Sequence, residues 1–199
     1  LQKKEKYQHL SDEDLMLKVI KGNSQCYAEI YDRYATRLLN YFYKMLWKDR
    51  EKAEDFLHDL FAKIIAKPDY FDPKRSFKTW IFSVAHNMCK NEYKKQEIRQ
   101  GGPLELNENI YAETKEKDVE SYDMQLFLKK LYAELDKLEE VQKSSFILRY
   151  MEEKSIKEIS EIMQCSEGTV KSRLFYTLKK ISPHLQKFNP IEKYSNEQI

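Results

Sequence analysis

A chain of 199 residues has room for one large domain or two small ones, and length alone does not choose between them. Its formal net charge of +2, from 35 basic and 33 acidic residues, excludes a bulk polyelectrolyte, so any nucleic-acid signal must lie in local patches. Hydrophobic residues at 41% and charged residues at 34%, with only 4 Gly and 5 Pro, exclude the turn density that many short strands need; the expected class is all-α.

The opening LQKKEKYQHL is charged and lacks an apolar run, and no segment approaches the roughly 18 apolar residues of a membrane span. Direct membrane insertion is therefore not expected, and the expected location is cytoplasmic. Three cysteines, Cys26, Cys89 and Cys165, are odd in number and widely spaced, which fits a reducing compartment better than a disulfide framework.

Four helices are expected up to about Gln96. SDEDLMLKVIKGN opens on a Ser11 cap, carries acids in its first turn and stops at Gly22. SQCYAEIYDRYATRLLNYFYKML follows, with Tyr27, Ile30, Tyr31, Tyr34 and Leu38 at helical spacing. DREKAEDFLHDLFAKIIAK ends near Pro68. After the turn YFDPKR comes SFKTWIFSVAHNMCKNEYKKQ, with Phe77, Ile81, Val84, Ala85 and Met88 as its expected core stripe.

The stretch GGPLELNENIYAETKEKDVESYD holds two of the four glycines and an excess of Glu and Asp, the composition of a flexible acidic linker. Helical periodicity returns at Met124. The expected architecture is two small helical domains on a tether: residues 1–98, a linker over 99–123, a second domain over 124–186 and a tail over 187–199.

The second domain contains SIKEISEIMQCSEGTVKSRL, which has the form of a helix-turn-helix. Ile156, Ile159, Ser160 and Met163 face inward on the first helix. After a turn at Gln164, where many such motifs carry Gly, Ser166 caps the second, whose expected inner stripe is Val170, Leu174, Leu178 and Ile181. Lys171, Ser172, Phe175, Tyr176 and Lys179 fall on the opposite side, with Arg173 and Lys180 on the flanks. Lysine meets guanine acceptors, serine either kind of base edge, and aromatic groups the thymine methyl, so this face suits a major groove. An ordinary helical hairpin with Phe175 and Tyr176 under a neighbour is the structural alternative.

In the first domain, Trp80, Asn87 and Asn91 recur at i, i+7 and i+11, beside Lys78, Lys90 and Lys94. An indole, two amides and several cations supply what unstacked DNA needs: a π surface, donors and acceptors for a base edge, and charge for phosphates. Tyr70, Phe71 and Lys74 of the preceding turn extend it. On AEDFLHDLFAKII, Phe56, Leu57, Leu60, Phe61 and Ile64 point inward; Asp55, His58, Asp59, Ala62 and Ala66 line the outside as a flat acidic strip that a basic protein surface can approach.

AEDFLHDLFAKI, FKTWIFSVAHN and SIKEISEIMQCSEGTVKSRL, in that order, resemble the region two and region four signatures of the extracytoplasmic-function sigma factors of RNA polymerase. The likeness spans about Asp12 to Leu185. It implies that Asp55, His58 and Asp59 bind core RNA polymerase. It implies too that Trp80, Asn87 and Asn91, with Lys78, Lys90, Lys94, Tyr70 and Phe71, hold the single-stranded minus-ten element. Lys171, Ser172, Arg173, Phe175, Tyr176 and Lys179 would then read the minus-thirty-five duplex of promoter DNA. The linker would thread toward the polymerase channel, and an anti-sigma factor is a partner common in the family. Tyr176 stands where the family often has Arg, a change that alters base discrimination by roughly 1 to 3 kcal/mol.

Two other classes compete. A stand-alone regulator with the same helix-turn-helix would bind a palindromic duplex by itself and would have no use for the Trp80 edge. An enzyme has little support, because His9, His58, His86 and His184 show no metal-ligand spacing with the cysteines and there is no glycine-rich phosphate loop; no cofactor or metal is expected.

Overall fold

The computed structural model describes residues 7–100 and 122–188, which form eight α-helices and two short 3-10 turns. The helices are α1 (Asp12–Ile20), α2 (Ser24–Met45), α3 (Arg50–Ala66), α4 (Phe77–Gln100), α5 (Tyr122–Leu135), α6 (Glu140–Tyr150), α7 (Ile156–Met163) and α8 (Glu167–Leu185). Helix α4 runs past Gln96 and α5 begins before Met124, while the central part of the expected linker and the end of the tail lie outside the described residues.

The ends are set by local chemistry. The Ser11 hydroxyl accepts the Asp14 amide at 3.0 Å, and Gly22 takes a φ of 85° just after α1, a conformation that costs other residues on the order of 1 kcal/mol. Ser155 and Glu158 form a reciprocal capping box at the start of α7. Gln164 adopts φ 52° at the helix-turn-helix turn, where Gly would be unstrained. Ser166 then caps α8 by accepting the Thr169 amide at 3.1 Å.

Helices α1 to α3 pack around α4 with Leu15, Ile30, Leu38, Phe42, Leu60 and Ile81 all fully buried. The same continuous core takes in Ile147, Leu148, Ile159, Ile162, Val170 and Leu174 from α6, α7 and α8. A smaller cluster of Leu131, Leu135, Phe146 and Ile181 ties α5 to α6 and α8. The two halves thus share a core across α4.

That sharing explains where the expected stripes differ. On α4, Val84 and Met88 are only half-buried, whereas Phe82, His86, Cys89 and Tyr93 are buried at i, i+4, i+7 and i+11. They make a second stripe beside the Phe77, Ile81, Ala85 one. On α8 the inward residue is Thr177, fully buried, while Leu178 is 40% exposed. On α7, Ile162 is buried and Ser160 is not.

Candidate nucleic-acid interface

With two stripes of α4 committed to packing, one sector of the helix stays open, and it carries Asn87, Lys90, Asn91 and Lys94, all exposed. Trp80 lies half-buried at its upper end. Its ring sits 5.2 Å from Phe71 and 5.6 Å from Phe77, in tilted contacts that fix the indole without covering it. Tyr70 is 70% exposed, with Lys67 Nζ 5.1 Å from its ring centroid and donating to its hydroxyl at 3.1 Å.

Two residues expected on this surface lie elsewhere. Phe71 is 1% exposed and packs edge-on against Phe77, so it supports Trp80 from below and has no surface for a base. Lys78 is two residues before Trp80, which places it about 160° around the helix. Its Nζ lies 3.9 Å from Glu158 of α7.

On α3, Asp55, His58, Asp59, Ala62 and Ala66 are all exposed, so the strip lies on the outer face. It also runs into the α4 edge. Asp59 lines a shallow groove between the two helices together with Phe56, Lys63, Met88, Asn91 and Lys95. The strip and the amide edge are therefore one continuous surface, a relation that the separate helical patterns did not contain.

On α8, Lys171, Ser172 and Lys179 are exposed, and so are Phe175 at 62% and Tyr176 at 56%. The two rings meet edge to face at 5.4 Å. No neighbour covers them among the described residues, which removes the hairpin reading in which they tuck under another helix. Leu178 adds an apolar group to the same side. Arg173 is half-buried, with Nη1 directed at Cys165 Sγ at 3.4 Å, so it sits at the margin of the face.

Behind these surfaces lies a buried polar chain that sequence patterning missed. The Tyr41 hydroxyl and Ser144 Oγ are 3.1 Å apart, Ser144 Oγ is 3.1 Å from His86 Nδ1, and His86 Nδ1 is 3.4 Å from Glu140 Oε1. Burial, and then the charges of Lys90 and Arg173, pull the His86 imidazole down to about 4. Burial lifts the Glu140 carboxyl to about 7 although Lys90 and Arg173 oppose it. The only advance sign was polar residues falling in register with a hydrophobic stripe.

The Glu140 shift has a definite direction for stability. The folded state holds a proton between about 4.5 and 7 that the unfolded chain has lost, so this contribution is present below 4.5 and lost as pH rises through 7. Glu140→Gln should raise the melting temperature at pH 8 and leave it unchanged near pH 4.5, as read by thermal scans at both pH values. An equal shift at both would exclude the buried carboxylate as its cause.

Among the described residues no group of three or more His, Cys, Asp or Glu could hold a metal ion, and no helix is long and apolar enough to cross a membrane.

The sigma-70 region 2 family description matches residues 30–98, and sigma-70 region 4 matches residues 128–181. The ECF RNA polymerase sigma-E factor of Haemophilus influenzae is 28% identical over 195 residues, covering 90% of this chain and 97% of the relative. The ECF RNA polymerase sigma factor SigW of Bacillus subtilis is 28% identical over 166 residues, 78% of this chain and 87% of its own. In structure, CnrH in complex with the cytosolic domain of CnrY matches with a TM-score of 0.66 at 19% identity, over 88% of this chain and 97% of CnrH. The sigma factor RpoE of Bartonella quintana, in complex with the anti-sigma factor NepR, matches with a TM-score of 0.65 at 20% identity, over 80% of this chain and 96% of that one.

Proposed function

Because the chain belongs to the extracytoplasmic-function sigma factors of RNA polymerase, we propose that its two exposed faces divide promoter recognition between them, single strand on α4 and duplex on α8. The protein is an alternative sigma factor: it binds core RNA polymerase and directs promoter recognition and DNA melting. In our reading, residues 1–98 bind the polymerase and the minus-ten element, and 124–186 bind the minus-thirty-five element. Residues 99–123 join them and 187–199 form the tail.

The observation that carries this division is the open sector of α4, where an indole held by Phe71 and Phe77 stands above two exposed amides and two exposed lysines. Extruding a base costs a few kcal/mol, and stacking on an aromatic ring returns roughly 1 to 3 kcal/mol per base. Trp80 supplies that platform, Asn87 and Asn91 read the base edge, and Lys90 and Lys94 meet phosphates. On α8, Lys171, Ser172, Phe175, Tyr176 and Lys179 enter the major groove and Arg173 borders it. No step is catalysed by the chain itself, and the near-neutral charge fits a protein that relies on the polymerase for most phosphate contacts.

Its place of action is then the cytoplasm, beside polymerase and DNA. An anti-sigma factor is proposed as a further partner, since the RpoE neighbour is held in a complex with one.

Run-off transcription on a genomic promoter library, with and without core polymerase, tests the whole reading. Transcripts that start at defined sites only when both proteins are present support it; tight binding of the isolated protein to a palindromic duplex overturns it. Asp59→Arg should weaken association with core polymerase by about tenfold or more, because it sets a cation against the basic surface that the strip fits. Its exposed position predicts an unchanged melting temperature, and co-purification at the wild-type yield would remove Asp59 from the contact.

A further inference from the structure

The turn between α6 and α7 is built to bury two charged side chains. Glu153 takes φ 53°, a conformation that costs a non-glycine residue on the order of 1 kcal/mol, and it sends its neighbours inward on either side. Glu152 is 4% exposed and Lys154 fully buried, both against the first half of the chain. Arg37 of α2 donates to the Glu152 carboxylate at 3.3 Å and to its carbonyl at 3.2 Å. Lys154 Nζ sits 4.0 Å from the ring centroid of Phe82 on α4 and has no hydrogen-bond partner among the described residues.

Every charged group around that amine has been placed by the fold. Arg37 from α2 and Lys78 from α4 face it as like charges, while Glu152 from its own turn and Glu158 from α7 face it as opposite ones. Lys44 lies near Glu152, and Arg149 of α6 donates to the Lys154 carbonyl at 2.9 Å. The other buried amine between the halves, Lys143, differs in having acceptors: Asp136 at 2.8 Å, with Tyr93 OH and the Met45 carbonyl at 3.5 Å.

The following step rests on the sigma-factor reading. Minus-ten and minus-thirty-five elements are separated by about 25 base pairs, on the order of 85 Å of duplex at about 3.4 Å per pair. In this structure α4 and α8 share one core, and Lys90 of α4 and Arg173 of α8 act on the same Glu140 carboxyl. The two faces cannot meet both elements until the halves part.

We propose that Lys154 is the latch of this closed form: seated on Phe82 as the neutral amine it holds the halves together, and on opening it takes a proton from solvent and stays out as the ammonium. Burial, reinforced by Lys78 and Arg37 and opposed by Glu158 and Glu152, brings the seated amine down to about 7 from an ordinary 10.5. Between those values the open form binds one more proton than the closed form. Closure therefore strengthens as pH rises from 7 toward 10.5, by about tenfold per pH unit for one proton. Glu140 changes around 7 and His86 below it, while burial pushes the Cys89 thiol up and the Lys143 amine down; a substitution at 154 leaves all four in place, so the difference between the wild type and Lys154→Met isolates Lys154.

Small-angle scattering of the full chain from pH 7.5 to 9.5 reads the equilibrium directly. The wild type should contract across that range. Lys154→Met, which keeps the stem on Phe82 and removes the charge, should be compact throughout and lose about one proton of linkage. Lys154→Arg, charged at every pH, should stay extended, and far-UV ellipticity checks that both variants remain helical. A Lys154→Met protein with the wild-type pH response overturns the latch. Run-off transcription with core polymerase keeps the two readings apart. Normal transcription alongside an unaltered pH response removes the latch and leaves the sigma factor, whereas the stated scattering without any promoter-directed transcript leaves the latch and removes the sigma factor.

Discussion

Phe82→Ala is expected to cost about 3 to 5 kcal/mol of stability and to lower the melting temperature by roughly 6 to 20 °C. The reason is the position of the ring. It is fully buried, stands edge-on to Tyr41 at 5.7 Å, and has Arg37 at 5.8 Å and the Lys154 amine at 4.0 Å from its centroid. Removing it opens a cavity in the first half and takes the platform from the Lys154 side chain of the second. A thermal scan beside Phe175→Ala supplies the comparison, since that exposed ring should change stability by no more than about 0.5 kcal/mol. If the two variants melt together, the halves do not share a core through α4.

Phe82 also shows what sequence patterning reached and what it did not. A helix packed on one side is legible in its sequence. The Ser11 and Ser166 caps, the outward acidic strip of α3 and the exposed Phe175 and Tyr176 each follow from one period and one local rule. Helix α4 is not legible from one period because it is packed from two directions. Its apolar residues spread so far around the axis that one stripe, through Val84 and Met88, looks as good as the stripe through Phe82, Cys89 and Tyr93. Only the arrival of α6 and α7 selects the second, and no local signal encodes that arrival.

The same cause accounts for Lys78, Lys143 and Lys154. A lysine in a polar run reads as solvated, and its placement depends on groups tens of residues away: Glu158 for Lys78, Tyr93 and the Met45 carbonyl for Lys143, and Phe82 for Lys154. Thr177 takes the inward place expected of Leu178 for a related reason. They are neighbours on α8, about 100° apart, and the packing of α8 against α5 and α6 takes Thr177 inside and leaves Leu178 partly exposed. Phe71 was misplaced because a turn has no period from which to infer a direction.

At the α4 edge, Asn87→Ala should reduce promoter opening by roughly 5- to 150-fold, the equivalent of about 1 to 3 kcal/mol for one well-made contact to a base edge. Asn87 is exposed, so its melting temperature and its affinity for core polymerase should match the wild type. Trp80→Ala should lose a similar factor through stacking, but it also removes a ring packed on Phe71 and Phe77 and should lower stability. The pair therefore separates reading from support. Permanganate reactivity of the melted region at equal polymerase occupancy is the measurement. Wild-type reactivity in Asn87→Ala would take that residue out of base capture, and the open sector of α4 would then act through Trp80, Asn91 and the lysines.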